Sequence, residues 1–363
     1  MRIPISTDSH SYEVIIGSGI LRTATESYRE QIEKADQVIV FTDHNVWNAQ
    51  KDYFTENFPY PFEVLVMPSG ESCKSFGNFQ DAHTFLIEKK CTRKSFLFAF
   101  GGGAVGDLTG FVAATYMRGI PYIQVPTTIL AHDSAVGGKT AINHPLGKNL
   151  VGAFYQPEAV IYDINFLNSL SDREIRSGMA EVVKHALISN EQWLSELMNT
   201  PSITKIDSET LAQHLKRGVE VKANIVEQDE TEQSVRKFLN LGHTYGHAIE
   251  AAAGYGGLAH GEAVVIGIVY ALLLSERYGE ITREFTKEFL QYAFNNGYPF
   301  HEVEKYSFDE LSEFLMKDKK VEYGTLKFVL LQNIGTPFVK DLELSECKEV
   351  DEEFRLLIKE VCK

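Results

Sequence analysis

The sequence has few cysteines, and their spacing excludes two common uses of this residue. The four cysteines, Cys73, Cys91, Cys347 and Cys362, lie far apart and form no C-x-x-C pair. Disulfide frameworks of small secreted proteins and zinc ribbons both need closely spaced cysteines. We therefore expect reduced thiols and a cytoplasmic protein.

The chain also lacks a long apolar run. Its longest such stretch, residues 263–274, is shorter than the roughly 20 residues that a membrane-spanning helix needs. The first residues, MRIPISTDSHSY, show no apolar core followed by a cleavage site, so we expect no secretory signal. The apolar run fits a buried helix, and we expect no membrane partner.

Basic residues are outnumbered by acidic ones. Lysine and arginine total 35 and aspartate and glutamate total 50, which gives a formal net charge of −15. Binding to a nucleic-acid backbone needs a basic face, so we expect no nucleic-acid partner. A small cationic pocket remains compatible with this acidic average.

The first part of the chain alternates between β-rich runs and helix-like stretches. Apolar runs over residues 38–41, 62–67, 95–100 and 122–125 each end in turn residues. Strands separated by helical segments predict βαβ units and a mostly parallel sheet. Ligands of such sheets gather at the carboxyl ends of the strands.

The pattern changes near residue 170. Ser171 and Glu174 form a capping-box pattern before helically spaced apolar residues, and most of the chain to residue 314 reads as helix. A further strand pair is predicted near 326–331. For 363 residues a prior of roughly two domains applies. We predict an α/β domain over 1–165 and a mainly helical domain over 166–363.

A glycine run follows the third predicted strand. Gly101, Gly103 and Gly106 satisfy G-x-G-x-x-G before a helix-like stretch, as in turns that bind a pyrophosphate. No acidic residue follows about twenty positions later, where a ribose ligand is usual, although Asp43 ends an earlier strand. A nucleotide site and a tight structural turn both fit this spacing.

A glycine-rich segment with local positive charge comes next. Between residues 108 and 150 the charged groups are Arg118, Lys139 and Lys148 against Asp133, although the whole chain is acidic. Lysine tips and free backbone amides of glycines can bind an anion. Solvated loops are the alternative interpretation.

Histidines cluster further along the chain. His243 and His247 are spaced i, i+4 on a predicted helix, and His260 follows thirteen residues later. Upstream, Glu181 and Lys184 lie at i, i+3 on one helical face. Zinc favours histidine and carboxylate ligands, so the spacing predicts a metal site that includes both His243 and His247. The alternative interpretation is that these histidines have a structural role and bind no metal.

Taken together, these segments resemble the 3-dehydroquinate synthase family of sugar phosphate cyclases. The matching segments run in order over nearly the whole chain: GGGAVGD at 101–107, RGIP at 118–121, VPTT at 125–128, DSAVGGK at 133–139, PLGKN at 145–149, MAEVVK at 179–184, NLGH at 240–243, His247, HGE at 260–262 and DKK at 318–320. The resemblance implies a dehydroquinate synthase-like fold and the conversion of 3-deoxy-D-arabino-heptulosonate 7-phosphate to 3-dehydroquinate and phosphate. In that reaction NAD transiently oxidises the substrate, phosphate is eliminated, the hydride returns and an intramolecular aldol step closes the ring.

The resemblance also implies a metal site. It places a divalent ion, Zn²⁺ or Co²⁺, on Glu181, His243 and His260. His247 then contacts the substrate phosphate rather than the metal, in contrast to the H-x-x-x-H interpretation.

Substrate contacts follow from the same resemblance. Asp133, Lys139, Lys184 and His247 are the implied catalytic residues. The substrate-binding set is Arg118 (from a neighbouring subunit of a homodimer), Lys139, Asn149, Lys184, Lys222, Arg236, Asn240, His247 and one of Lys319 and Lys320. Within this set, Lys222 and Arg236 match the pair that grips the substrate carboxylate.

The implied NAD site lies in the first part of the chain. Asp43 and Asn45 match the adenosine end, and Glu71 and Lys74 a second nucleotide contact. The pyrophosphate turn and its continuation match Gly102, Gly103, Ala104, Asp107, Thr127, Thr128, Lys139 and Lys148, and a last contact matches Phe166 to Ser169.

Two alternatives share this chemistry. Other sugar phosphate cyclases act on substrates without a carboxylate and have no reason to keep a cationic pair such as Lys222 and Arg236. Metal-dependent glycerol-type dehydrogenases have a similar glycine turn but perform a net hydride transfer and need no phosphate cluster.

Overall fold

The predicted alternation of strands and helices is present in the first 170 residues of this computed structural model, which describes residues 1–254, 256–316 and 325–363. The chain divides into two compact units. Unit 1 comprises Met1–Leu170 and Asp207–Thr231, and unit 2 comprises Ser171–Ile206 and Glu232–Lys363.

The strands and helices are numbered in chain order within the described residues. The strands are β1 (Arg2–Ser6), β2 (Ser11–Gly17), β3 (Val38–Asp43), β4 (Glu63–Met67), β5 (Phe96–Gly101), β6 (Tyr122–Pro126), β7 (Lys139–His144), β8 (Gly147–Phe154), β9 (Ala159–Asp163), β10 (Leu326–Asn333) and β11 (Thr336–Leu342). The helices are α1 (Leu21–Glu26), α2 (Arg29–Lys34), α3 (His44–Asn57), α4 (Phe76–Glu88), α5 (Gly103–Thr115), α6 (Ala131–Ser134), α7 (Asp172–Leu187), α8 (Glu191–Met198), α9 (Ser208–Gln228), α10 (His243–Ala253), α11 (His260–Tyr278), α12 (Arg283–Asn295), α13 (Phe308–Leu315) and α14 (Leu344–Val361).

A seven-stranded sheet forms the centre of unit 1. Its strand order is β1-β2-β9-β6-β5-β3-β4, and every neighbouring pair is parallel except the antiparallel pair β1–β2 at one edge. The prediction of a mostly parallel sheet is therefore confirmed. A separate antiparallel hairpin, β7–β8, contains the predicted glycine- and lysine-rich segment.

Both faces of the sheet are buried. On β3, Ile39 and Phe41 join one apolar cluster with residues of α5, whereas Val40 joins a second cluster with Phe54 of α3. Alternate residues of a strand point to opposite faces, so helices cover the sheet on both sides. The carboxyl ends of the parallel strands remain open for polar residues.

Unit 2 is mainly helical, as predicted. Its central helix is α11, in which every residue from Gly261 to Ser275 is buried, and α7, α10, α12 and α14 contact it. The predicted capping box at the start of α7 is present, since Ser171 and Glu174 bond reciprocally. The predicted strand pair near residue 326 is the antiparallel hairpin β10–β11.

The two units do not coincide with the predicted contiguous domains, 1–165 and 166–363. Residues 207–231, which contain α9, belong to unit 1. Two polar contacts fix this segment there, because the backbone amides of Ser6 and Ser9 donate to the carboxylates of Glu227 and Glu230. Such contacts join residues more than 200 positions apart, and local sequence patterns do not reveal them.

One further property concerns membranes. Of the helices that the structure describes, none combines the length and the apolar composition needed to cross a bilayer.

Candidate active site

A buried carboxylate lies at the centre of the polar cluster in unit 2. Glu181 of α7 is 1% exposed, and its Oε2 pairs with the ammonium of Lys184 one helical turn later. Its Oε1 lies 3.4 Å from Nε2 of His260 and 3.7 Å from Nε2 of His243. Three groups that the sequence spreads over 80 positions therefore meet at one carboxylate.

The second ring nitrogen of each histidine is already engaged. Nδ1 of His243 lies 3.1 Å from the carbonyl oxygen of Leu241, and Nδ1 of His260 lies 3.1 Å from Oε2 of Glu250. Because a carbonyl and a carboxylate only accept hydrogen bonds here, each neutral ring carries its proton on Nδ1. In this neutral form Nε2 has a lone pair that can ligate a metal ion, whereas in the charged form of His260 the protonated Nε2 donates to Glu181.

His247 completes a group of three imidazoles. His243, His247 and His260 each place a possible ligand atom within 4.8 Å of the others. The ring centroid of His247 lies 5.2 Å from that of His243 and 5.7 Å from that of His260. The arrangement without a bound ion accommodates both interpretations of His247, as a ligand and as a substrate contact.

Burial and charge act differently on the two histidines nearest Glu181. Burial holds the pKa of His243 well below its usual value, and the Glu181 carboxylate only partly opposes this. Burial also disfavours the charged form of His260, but hydrogen bonds to Glu181 and Glu250 outweigh it and raise its pKa to about 10. The carboxylates of Glu181 and Glu250 therefore favour a positive charge at the position of His260.

Close helix packing brings these side chains together. A Cβ atom on Gly261, next to His260, would lie 1.9 Å from the carbonyl oxygen of Ser177 on α7. Gly242, directly before His243, has φ +79°, a left-handed conformation that glycine adopts without strain. Glycine at these two positions lets α11 approach α7 and lets α10 begin at His243.

Sequence reasoning assigned no role to two carboxylates close to His260 in the structure, Glu250 and Glu262. Glu250 contacts His260, and Glu262 lies 3.0 Å from Nη2 of Arg173 while accepting a hydrogen bond from the backbone of Ala259. Glu250 follows His243 by seven residues, so helical spacing could have placed it on the same face of α10.

Polar residues of unit 1 follow the carboxyl ends of the parallel strands, as predicted. Asp43 ends β3, and its Oδ1 caps α3 by accepting from the amides of Asn45 and Val46 at 2.8 and 3.1 Å. Ser69 also donates to Oδ1, at 2.9 Å. Within the described residues Oδ2 of Asp43 makes no hydrogen bond, so it can accept from a bound hydroxyl group.

The predicted pyrophosphate turn is a tight link between β5 and α5. Cβ atoms on Gly102 and Gly103 would lie 3.0 Å from Cγ2 of Thr128 and 2.9 Å from Oγ of Ser134. Ala104 lies in the first turn of α5. The hydroxyls of Thr127 and Ser134 are buried, and neither bonds to another group in the described part of the chain. A close backbone approach beside spare hydroxyls fits an oxygen-rich ligand.

A second polar cluster joins three predicted site residues. Nζ of Lys74, which is 2% exposed, lies 2.6 Å from Oδ2 of Asp107 and 2.5 Å from Oδ1 of Asn149. Burial raises the pKa of Asp107, and the ammonium of Lys74 opposes this rise. The structure thus brings together Lys74 and Asp107, predicted for the cofactor, with Asn149, predicted for the substrate.

The half-buried Asp133 and the buried Lys222 form a further ion pair in unit 1. The Nζ of Lys222 lies 3.0 Å from Oδ1 of Asp133 and also bonds to the Asp133 carbonyl oxygen. Lys139, at the start of β7, and Lys148, in β8, have exposed side chains. Lys222 therefore belongs to unit 1, although the sequence placed it in the helical domain.

Other predicted substrate residues lie in unit 2 or on the surface of unit 1. Arg236 is 1% exposed in a short 3-10 helix of unit 2, and Asn240 in that helix donates to Glu232 at 2.9 Å. Arg118 is exposed with φ +68°. Lys319 and Lys320 lie outside the described residues.

Three residues predicted for the cofactor have hydrogen-bond partners in unit 1. Glu71 accepts from Asn143 at 2.7 Å. Gln50 donates to the Phe166 carbonyl oxygen at 3.3 Å and to Ser169 Oγ at 2.8 Å. The Phe166 ring is fully buried, which leaves its backbone rather than its ring for a ligand.

Comparison with known proteins indicates the family of this chain. Family models described as the N-terminal and C-terminal parts of 3-dehydroquinate synthase match residues 64–177 and 178–321. A 3-dehydroquinate synthase of Lysinibacillus sphaericus (strain C3-41) is 66% identical over 361 residues, covering 99% of each chain. One of Bacillus pumilus (strain SAFR-032) is 48% identical and covers 92% of each.

A solved structure supplies the fold comparison. 2-Deoxy-scyllo-inosose synthase complexed with carbaglucose-6-phosphate, NAD⁺ and Co²⁺ is 27% identical, with a TM-score of 0.85 over 97% of this chain and 99% of that chain. Fold, motifs and sequence identity agree over almost the full length. The chain belongs to the 3-dehydroquinate synthase family.

Proposed function

We propose that this chain converts 3-deoxy-D-arabino-heptulosonate 7-phosphate into 3-dehydroquinate and phosphate, a step of the shikimate pathway. The observation that carries the proposal is the buried Glu181 carboxylate facing Nε2 of His243 and of His260. It occurs in a chain 66% identical to a curated 3-dehydroquinate synthase. The chain is accordingly an NAD- and metal-dependent lyase.

The donor set in unit 2 fits a divalent metal. One carboxylate and two imidazoles with Nδ1 engaged are typical ligands of catalytic Zn²⁺ or Co²⁺ sites, which keep a position open. Glu181, His243 and His260 would hold the ion, which supplies a Lewis acid to the substrate hydroxyls. Lys184 balances the Glu181 charge and would contact a ring hydroxyl.

The carboxyl edge of the sheet in unit 1 fits a dinucleotide. Support comes from the close approach at Gly102 and Gly103 and from the buried hydroxyl of Thr127. NAD⁺ supplies a hydride acceptor that gives the hydride back before the product leaves. The chain would hold it through Asp43, Asn45, Glu71, Lys74, Gly102, Gly103, Ala104, Asp107, Thr127, Thr128, Lys139, Lys148, Phe166 and Ser169.

The chain's own cations would bind the two anionic groups of the substrate. We assign the phosphate to Arg118, Lys139, Asn149, Asn240 and His247, and the carboxylate to Lys222 and Arg236. One of Lys319 and Lys320 would add a further cation. Charge-assisted hydrogen bonds of this kind orient an anion and stabilise charge that develops during elimination. We place Asp133 beside the reacting carbon atoms.

The alternatives lack a supporting observation of their own. A cyclase acting on a sugar phosphate without a carboxylate has no use for the buried guanidinium of Arg236. A glycerol-type dehydrogenase would need neither Arg236 nor the phosphate residues.

We also propose a cytoplasmic homodimer. Cys73, Cys91 and Cys347 are buried free thiols, which suits a reducing compartment. Arg118, on its exposed turn, is available to a neighbouring subunit.

A substrate comparison tests the proposal. Purified chain with Co²⁺ and NAD⁺ should release phosphate from the heptulosonate phosphate but not from glucose 6-phosphate. Arg236→Ala should raise the KM for the heptulosonate by about 10- to 100-fold, since a charged hydrogen bond contributes about 1.5–3 kcal/mol. Phosphate release from glucose 6-phosphate alone would contradict the assignment.

A further inference from the structure

Glu250 is a half-buried carboxylate that the proposed reaction does not yet use. It lies on α10, its side chain is 14% exposed, and its Oε2 is 3.1 Å from Nδ1 of His260 on α11. The contact joins two helices at the first residue of α11, where the proposed metal ligand is located.

The two nitrogen atoms of the His260 ring face different carboxylates. Nδ1 faces Glu250, whereas Nε2 faces Oε1 of Glu181 at 3.4 Å. The two imidazole nitrogens point in different directions, so Glu250 cannot share an ion held at Nε2. Any effect of Glu250 on the metal must therefore be transmitted through the imidazole ring of His260.

A carboxylate that accepts a hydrogen bond from an imidazole ligand affects that ligand in two ways. It fixes the tautomer, because the proton must lie on Nδ1, and it makes Nε2 more electron-rich. His243 has the first effect from the carbonyl oxygen of Leu241 but lacks a charged acceptor at Nδ1 among the described residues. The two histidines are thus supported unequally.

We propose that Glu250 is a positioning residue that holds His260 as an Nε2 ligand and strengthens metal binding. The inference rests on the metal centre of the proposed function. Loss of Glu250 removes the acceptor and lets the ring rotate, while Glu181, His243 and His260 remain.

Cobalt titration of the full-length chain tests the inference. We would strip the metal, then measure the Co²⁺ dissociation constant by competition with a chelator and record the ligand-field absorption of the bound ion. Glu250→Gln and Glu250→Ala are the variants. Glu288→Gln, an exposed carboxylate of α12 in the same unit, is the matched control. Circular dichroism establishes whether each variant is folded. If Glu250→Ala does not fold, the near-isosteric Glu250→Gln variant alone tests the inference.

The expected result is Co²⁺ binding weakened by about 10- to 100-fold in Glu250→Gln, with altered ligand-field bands and no change in Glu288→Gln. If the unsubstituted chain binds Co²⁺ and Glu250→Gln binds it equally tightly, the inference is wrong and the metal centre stands. If the unsubstituted chain binds no Co²⁺, the metal centre itself is wrong, and the inference with it.

Discussion

At the scale of single residues, Glu181 is the group on which the proposed metal centre depends. A buried carboxylate is costly unless opposite charge balances it. Lys184 provides one positive partner, and Nε2 of His260 lies on the other side at 3.4 Å. A divalent ion is the natural further counter-charge, since the adjoining imidazoles can ligate it while neutral.

Single substitutions separate the two interpretations of His247. His260→Ala should abolish stoichiometric zinc, because it removes one of three protein ligands, whereas His247→Ala should retain zinc and lose phosphate release. Metal content measured by atomic absorption on purified protein checks this. Zinc retained in His260→Ala and lost in His247→Ala would restore the H-x-x-x-H site.

At the scale of helices and strands, the position of the ligands depends on how closely α7 and α11 pack. The amide of Gly261 donates to Oγ of Ser177 at 3.1 Å, so the start of α11 lies against α7. His260 precedes this contact, and Glu181 follows Ser177 by one helical turn. The separation of the two helices therefore sets the separation of two proposed ligands.

Gly261→Ala tests that dependence. Its Cβ would meet the backbone oxygen of Ser177 at 1.9 Å, and no side-chain rotation relieves this clash. We expect a loss of about 1–3 kcal/mol in stability, as for overpacked cores, together with weaker Co²⁺ binding.

Gly77→Ala is the matched control for this change, since its Cβ would meet only Oγ of Ser75, at an ordinary 3.7 Å. Thermal melting and Co²⁺ titration supply the two readouts. Normal stability and metal affinity in Gly261→Ala would contradict the packing argument.

The last helix is tied to α10 by a buried polar network. Asp351 of α14 is 1% exposed and accepts from the hydroxyl of Tyr245 at 2.7 Å and from Nε of Arg355 at 2.6 Å. Tyr245 lies between His243 and His247 in α10, so this network supports the helix that carries both.

Asp351→Ala should lower the free energy of unfolding by about 2–4 kcal/mol, because it leaves the buried hydroxyl of Tyr245 and Nε of Arg355 without their acceptor and removes the charge that balances the guanidinium. Glu352→Ala, the next residue and exposed, should have little effect. Calorimetric melting of the two variants measures the difference, and equal melting temperatures would show that the network does not stabilise α14.

How far the sequence predicts these elements depends on the range of the interactions that form them. The strands β3, β4, β5 and β6 were predictable because each is a local apolar run ending in turn residues, and the α7 capping box spans only four residues. The assignment of α9 to unit 1 and the contact of Glu250 with His260 depend on tertiary packing, which no local pattern encodes.

In the candidate site, too, the sequence predicts which residues take part but not how their side chains are oriented. The motifs identified Glu181, His243 and His260, and the structure brings them together. Leu241 and Glu250 determine which ring nitrogen each histidine turns toward Glu181. The sequence motifs specify neither contact.

At the scale of the whole molecule, the net charge of −15 conceals the cations assigned to the substrate. Of these residues, Arg118, Lys139 and Lys222 belong to unit 1, and Lys184 and Arg236 belong to unit 2. A small set of cations in an acidic chain suits a small substrate with two anionic groups better than a polyanion, because a polymer needs an extended basic face.

The central claim is that the chain makes 3-dehydroquinate with NAD as a recycled cofactor, and product stoichiometry tests it most directly. With Co²⁺, excess heptulosonate phosphate and NAD⁺ far below the substrate concentration, phosphate and 3-dehydroquinate should form in equal amounts over many turnovers. NADH measured by its absorbance should not accumulate. A reaction that stops after one equivalent of NAD⁺, with matching NADH and no phosphate, would contradict the account.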